Sequence, residues 1–513
     1  MRHSNEVPRY DAFSCAVGGA LLVVGILVRV ALYFPLAMFP IDSDGVLAGL
    51  CAFRIADGQY PAFFAGGSRL SAASCYVAAA FFRLFGPGRV GLALTGLTWG
   101  VLYLVFMLLF LRATLGRRTG TLAFVFAVVP SAAFVMVTYV PWAYGEIMAS
   151  CAATLWLAAL WRESGGPWQR LCFGISVGFG IWISLQTLMI ALPAVLWILL
   201  RRRNQTLKES TLAILGAGVG AAPFLASNVL HGFPSFTANW ASQPTSSLAQ
   251  AAKNLIWLTS SPLPQLLYYG WSSWWSVSTL MILGYVLIGI GFAMAVRHSL
   301  RDRDTSTPDR GASLLFLLVL AASTLLYVFS EAGSIRGWTV RYIAPLYVVL
   351  PLPLAIGIKT LWRRNQWLAC TAAALLLVPN LLLYELPGSM ARAVLAAQLQ
   401  TDVRLRALLT RANVRMVYGD YFVVYHINFD SRENIAAIPT DAQSDYIHYG
   451  AALPVSGVRW ALLGYYSDQL EAWAQEAGAR GRTTRVGDLS LFIADKPAAN
   501  TPRLLDELRR SSP

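Results

Sequence analysis

Two aspartates separated by one residue, Asp42 and Asp44 in the run F-P-I-D-S-D-G, follow the first apolar stretch of this 513-residue chain. Acids at that spacing can ligate a divalent cation such as Mg or Mn, or one can take a proton from a hydroxyl as a general base. Asp44 is also placed to cap the helix that the next residues predict. Glu146, in W-A-Y-G-E-I-M-A, is a carboxylate at the rim of an otherwise apolar helix, with Tyr144 two residues before it. An ionisable group there faces a cavity or a partner, or it complements the positive end of the helix dipole. Arg341 and Tyr342 open a later apolar stretch, with Arg336 nearby. A guanidinium is a planar donor fork suited to phosphate oxygens, and snorkelling to the membrane interface is its plainer role. Arg29, inside the first stretch, is expected to snorkel. His231, in N-V-L-H-G-F-P, is a loop histidine available as a ligand or base. No G-x-S-x-G, H-E-x-x-H, P-loop or dinucleotide fingerprint stands in a fitting context, so a hydrolase, protease or ATP-driven pump has no support.

The elements that must position these residues are apolar. Hydrophobic residues make up 56% of the chain and charged ones 13%, against about 25% charged in an average soluble domain. The mean hydropathy is +0.54. Apolar runs of roughly 18 residues can cross the hydrocarbon core, and in lipid they must be helical to pair their own backbone groups. The expected spans are 14–34, 90–111, 119–137, 144–161, 170–185, 186–200, 211–228, 273–296, 312–329, 340–358 and 367–386. The first is too long for a signal-peptide core and has no cleavage site after it, so it is retained.

The net charge of +14 is read as topology and not as a nucleic-acid footprint, because much of it sits in short loops. Arg112, Arg117 and Arg118, then Arg162 and Arg170, Arg201–Arg203 and Lys208, Arg297–Arg310, and Lys359–Arg364 fall on one side of the spans. By the positive-inside rule that side is cytoplasmic, with the N-terminus, and about eleven spans put the C-terminal region outside.

Two outer loops are large. The first, 35–89, holds the acids, an amphipathic helix over 45–56 with Leu47, Leu50, Cys51 and Ile55 at helical spacing, and a second apolar segment at 71–86. Both segments are expected to lie on the membrane. Cys51 and Cys75, of six cysteines, are expected to be buried free thiols, with a disulfide as the alternative. The second loop, 229–272, gathers Trp257, Tyr268, Tyr269, Trp271, Trp274 and Trp275 around its end, as an interfacial belt or a sugar-stacking platform. Residues 1–387 thus form the membrane domain. Residues 388–496 read as a soluble α/β domain, with strands at 414–418, 422–427, 459–464 and 489–494 and a helix at 468–477. The tail 497–513 has a disordered composition.

Several runs together resemble the GT-C class of membrane glycosyltransferases, in the branch of protein O-mannosyltransferases and the lipid A aminoarabinose transferase. They are D-G-V-L-A-G-L from Asp44, D-G-Q-Y-P-A-F-F-A-G from Asp57, A-A-F-F-R-L-F-G-P from Ala79, Y-G-E at 144–146, N-V-L-H-G-F-P-S-F at 228–236 and R-Y-I-A-P-L-Y at 341–347. The likeness extends more weakly through V-Y-G-D-Y-F-V-V-Y in the C-terminal region. It implies a polytopic α-helical membrane protein with a small α/β domain, in a bacterial inner membrane. It implies a polyprenyl-phosphate-linked sugar as donor and a glycan, lipid or protein as acceptor. By position Asp44 matches the family's catalytic carboxylate, and Glu146 and Arg341 match site residues. The family often has a second acid directly after the first, where this chain has Gly45, which leaves Asp42 as the substitute. Two other classes compete: a transporter or flippase of lipid-linked sugars, and a non-catalytic envelope assembly protein.

Overall fold

A computed structural model describes residues 8–38, 43–64, 70–139, 143–201, 207–237, 247–267, 275–301, 308–330, 333, 339–440, 457–476 and 478–497. Helix α1 (Pro8–Met38) leads to α2 (Asp44–Ala56), α3 (Ala73–Phe85) and α4 (Arg89–Leu115). Short helices α5 (Arg117–Ala123), α6 (Val125–Val128) and α7 (Ala132–Thr138) precede α8 (Tyr144–Glu163), α9 (Pro167–Ile183) and α10 (Leu188–Arg201). Next come α11 (Leu207–Gly220), α12 (Ala222–Leu230), α13 (Pro234–Thr237), α14 (Leu248–Ser260) and α15 (Pro262–Leu267). The membrane domain ends with α16 (Trp275–Arg301), α17 (Pro308–Val328), a 3-10 segment (Thr339–Val348), α18 (Pro351–Arg364) and α19 (Gln366–Arg411). Four described helices are long and apolar enough to cross a membrane, or six if each bent pair counts as one span.

Prolines account for much of the difference from the expected eleven continuous spans. The stretch 119–137 is broken at Pro130, which has no N–H to donate and drives the preceding Val129 out of the helical region. Ser131 restarts the chain as the cap of α7, accepting from the Phe134 N–H (3.3 Å). The break leaves carbonyls without helical partners, and Arg29 takes them. Its guanidinium donates to the carbonyls of Ala127 (2.9 Å) and Val128 (3.4 Å) and lies against the rings of Tyr33 and Phe134. Arg29 is fully buried, so it does not snorkel. The stretch 211–228 bends by 60° ahead of Pro223, and 340–358 bends by 54° where the 3-10 segment meets α18 at Pro351. Helices α9 and α11 approach backbone to backbone through Gly174, Gly178, Gly216 and Gly220. A Cβ on Gly174 would stand 2.0 Å from the Ala213 carbonyl oxygen.

Helix α19 runs for 46 residues through Pro387, so the boundary expected at 387/388 falls inside it. It delivers the chain to a five-stranded sheet: β1 (Val414–Gly419), β2 (Ala436–Pro439), β3 (Arg459–Gly464), β4 (Gly481–Val486) and β5 (Leu489–Ala494). The strand order is β2-β1-β3-β5-β4, with β1 parallel to both its neighbours and the other pairs antiparallel. Helix α21 (Ser467–Glu476) covers one face. The run expected as a strand over 422–427 is instead part of a helix, α20 (Tyr421–Asp430). Its β-branched and aromatic side chains are enclosed between the sheet and α2, and burial on all sides overrides their strand preference.

The α/β domain is docked on the segment between α1 and α4. Residues Asp44–Ala52 of α2 are buried in succession, so this helix does not rest on lipid with one face free. Gly49 lets the Phe429 ring of α20 lie against α2, where a Cβ would come within 2.3 Å of it. Phe429 also stacks on Phe53, with centroids 5.5 Å apart. Full burial of such a ring is worth about 1.5–3 kcal/mol. Arg54 pairs with Glu433 (2.6 Å). Arg89 grips Asp430 through Nε (3.1 Å) and Nη2 (2.5 Å) and reaches Asp402 (3.3 Å). Burial raises the pKa of the Asp402 and Glu433 carboxyls, against the pull of Arg89 and Arg54.

Candidate functional site

The site forms where α2 meets the α/β domain, with α8 and the 3-10 segment packed on each other within electrostatic reach of it. Asp44 is the first residue of α2; the cap position belongs to Ser43, whose side chain makes no capping bond. The Asp44 carboxylate is buried and accepts a hydrogen bond from the Tyr421 hydroxyl (2.8 Å). Ser43 fastens the same junction. Its Oγ donates to the Tyr421 carbonyl (2.5 Å) and accepts from the Tyr425 N–H (3.2 Å).

Arg341 and Tyr342 lie in the first turn of the 3-10 segment. Gln186 Nε2 donates to the Arg341 carbonyl (2.8 Å) and holds its main chain. The guanidinium stacks 5.1 Å from the Tyr342 ring centroid and donates to its hydroxyl (3.2 Å), while its Nε is buried with no partner among the described residues. It lies within electrostatic reach of Tyr144 and Asp44. The turn that aims Tyr144 passes through Ala143 at φ +56°, a conformation that costs a non-glycine residue about 1–3 kcal/mol. Asp44, Tyr144, Arg341 and Tyr342 are therefore brought together from three distant parts of the chain.

Glu146 is placed differently. Its carboxylate accepts from Ser71 (3.2 Å) and from Ser74, and Ser74 in turn accepts from the Trp99 indole N–H (3.0 Å). It thus ties the rim of α8 to the start of α3. His231 is exposed at the end of α12, with Nδ1 2.8 Å from the Ser227 carbonyl, and does not join the others. Asp42 and Arg336 lie outside the described residues, as do Tyr268, Tyr269, Trp271 and Trp274 of the aromatic loop. A divalent cation needs several oxygen ligands. Among the described residues no group of three His, Cys, Asp or Glu converges. Cys51 and Cys75 are buried free thiols. Tyr421, Ser43, Ser71 and Ser74 are the residues that sequence reading missed. The one trace was the run V-Y-G-D-Y-F-V-V-Y, which contains Tyr421.

The fold matches solved structures of the kind that the resemblance implied. It is similar to ArnT from Cupriavidus metallidurans bound to undecaprenyl phosphate, at 14% identity and TM-score 0.63, over 92% of this chain and 97% of that one. The apo state of that protein matches at 13% identity and TM-score 0.63, over 93% and 98%. The archaeal oligosaccharyltransferase AglB from Archaeoglobus fulgidus, in complex with an inhibitory peptide and a dolichol-phosphate, matches at 10% identity and TM-score 0.50, over 96% and 77%. By sequence, no family model and no curated protein matches the chain. The resemblance drawn from the motifs is thus borne out as a fold, and several of the described helices are long and apolar enough to cross a membrane.

Proposed function

We propose that this chain is a membrane glycosyltransferase that moves a sugar from a polyprenyl-phosphate-linked donor to a hydroxyl of a glycan, lipid or protein acceptor. The carrying observation is that a buried aspartate at the start of α2 lies within electrostatic reach of an arginine whose Nε is buried and unpaired. That pairing suits the two ends of the reaction. The Asp44 carboxylate takes the proton of the acceptor hydroxyl as its oxygen attacks the anomeric carbon. The bond from that carbon to the phosphate oxygen breaks on the opposite face, and polyprenyl phosphate departs with its charge met by Arg341. Attack opposite the leaving group inverts the anomeric carbon. Tyr144 and Tyr342 line the donor's path, and Glu146 holds α3 against α8 beside it. A donor already activated by phosphate asks for no nucleotide-binding domain.

In this reading the chain crosses a bacterial inner membrane about eleven times, its shorter and bent helices included. The basic short loops put the N-terminus in the cytoplasm and the α/β domain outside. The similar structures, with undecaprenyl phosphate or dolichol-phosphate bound, support the donor class. The test is release of undecaprenyl phosphate from a panel of undecaprenyl-phosphate-linked sugars by the purified protein in native lipid. Release by the wild type that is lost in Asp44→Asn is expected. Full release by Asp44→Asn would overturn the assignment.

A further inference from the structure

The α/β domain reaches the proposed reaction centre through the side chain of Tyr421. Tyr421 opens α20 directly after the carboxyl end of β1. From β1 the chain goes first to β2 on one side and later to β3 on the other, both parallel to it. That end of a parallel sheet, where connections diverge, is where α/β domains present functional groups. Here it presents a phenol to the membrane domain. The Tyr421 ring is buried and meets Tyr425 edge-on, with centroids 5.6 Å apart and planes at 81°, which restricts its swing. Its hydroxyl donates to Asp44 Oδ1 at 2.8 Å, across 377 positions of sequence. Ser43, next to Asp44, binds the Tyr421 carbonyl and the Tyr425 N–H, so the first turns of α2 and α20 are locked together around the carboxylate.

We infer that Tyr421 is a positioning residue for Asp44, so that the α/β domain completes the reaction centre of the membrane domain. This rests on the proposed role of Asp44 as the proton acceptor. The geometry favours positioning over mere packing. For packing alone a phenylalanine would suffice at a buried site, whereas a buried hydroxyl is kept where it has a partner. A buried carboxylate, for its part, needs donors to compensate its lost hydration. A carboxylate that must meet an acceptor hydroxyl also has to be held within a narrow range of orientations, since small misplacements are costly in rate. A second polar contact of α2, from Arg54 to Glu433 in the segment after α20, lies at the far end of α2 from Asp44. It supplies the control.

The experiment uses the full-length protein in native lipid and follows undecaprenyl phosphate release from the undecaprenyl-phosphate-linked sugar that the wild type turns over. Tyr421→Phe removes one hydrogen bond to a charged acceptor, and kcat is expected to fall roughly ten- to a hundredfold. KM for the donor stays within about threefold, because the phosphate contacts are elsewhere. Glu433→Gln lowers the thermal midpoint with kcat unchanged. If Tyr421→Phe does not fold, Ser43→Ala releases the α20 main chain while keeping the phenol. It is expected to lower kcat roughly three- to tenfold at unchanged KM, and an unchanged kcat would overturn the inference. Wild-type kcat in Tyr421→Phe beside an inactive Asp44→Asn would overturn it while leaving the reading of Asp44 standing. A Tyr421→Phe variant that merely melts early, as Glu433→Gln does, would also overturn it. An active Asp44→Asn, or a wild type that releases nothing, would overturn the underlying reading instead.

Discussion

Asp44 and Glu146 are both buried carboxylates in the first turn of a helix at the rim of the membrane domain, and their surroundings differ in kind. Glu146 is met by two serine hydroxyls, one of them backed by the Trp99 indole, and these partners come from α3, the residues just before it, and α4. Asp44 is met by a phenol from the other domain and lies within reach of a guanidinium with a buried, unpaired nitrogen. A ring of neutral hydroxyls from neighbouring elements holds a structure together. A junction of three elements, one of them carrying a cation, leaves room for chemistry. Residue type and helix position do not separate the two acids; the partners do.

Four substitutions sharpen or break that contrast. Asp44→Asn should lower release of undecaprenyl phosphate by roughly two to four orders of magnitude, as loss of a general base does, with an unchanged thermal midpoint. A large loss of folded protein would make Asp44 another structural acid. Arg89→Met removes the cation from a cluster with two acids at the domain junction, and should destabilise docking by about 3–5 kcal/mol. An α/β domain that melts or is cleaved before the membrane domain is the signature to look for. Arg341→Ala should weaken binding of undecaprenyl phosphate by roughly ten- to a hundredfold, the worth of a hydrogen bond to a charged group. Unchanged affinity would reduce Arg341 to an interfacial residue stacked on Tyr342. Glu146→Gln, which keeps an acceptor for the serines, should cost about 1 kcal/mol of stability, and activity should follow the folded fraction. An activity loss as deep as that of Asp44→Asn, in folded protein, would erase the distinction between the two sites.

How much of this was legible in the sequence depended on how local the cause was. The start and length of α2 could be read from the spacing of Leu47, Leu50, Cys51 and Ile55, because helical periodicity is a property of neighbours. Strands β1, β3 and β5 and helix α21 were equally plain. The break at Pro130 was present in the sequence but masked by the apolar residues on both sides of it, and the use of Arg29 to bind the freed carbonyls depends on a helix nearly 100 positions away. Helix α20 was taken for a strand because a fully enclosed helix and a fully enclosed strand have the same apolar composition. Strand β4, with its polar run G-R-T-T-R-V, lacks the apolar mark altogether. Tyr421 could not be paired with Asp44 in advance, since no local pattern relates positions 377 apart.

A cryo-electron microscopy structure of the protein in native lipid with undecaprenyl phosphate bound tests the account most directly. The phosphate is predicted to sit on the Arg341 guanidinium, facing Asp44 across the space where a sugar would lie, with Tyr421 still on the carboxylate. A phosphate bound away from Arg341, with Asp44 remote from it, would contradict the account.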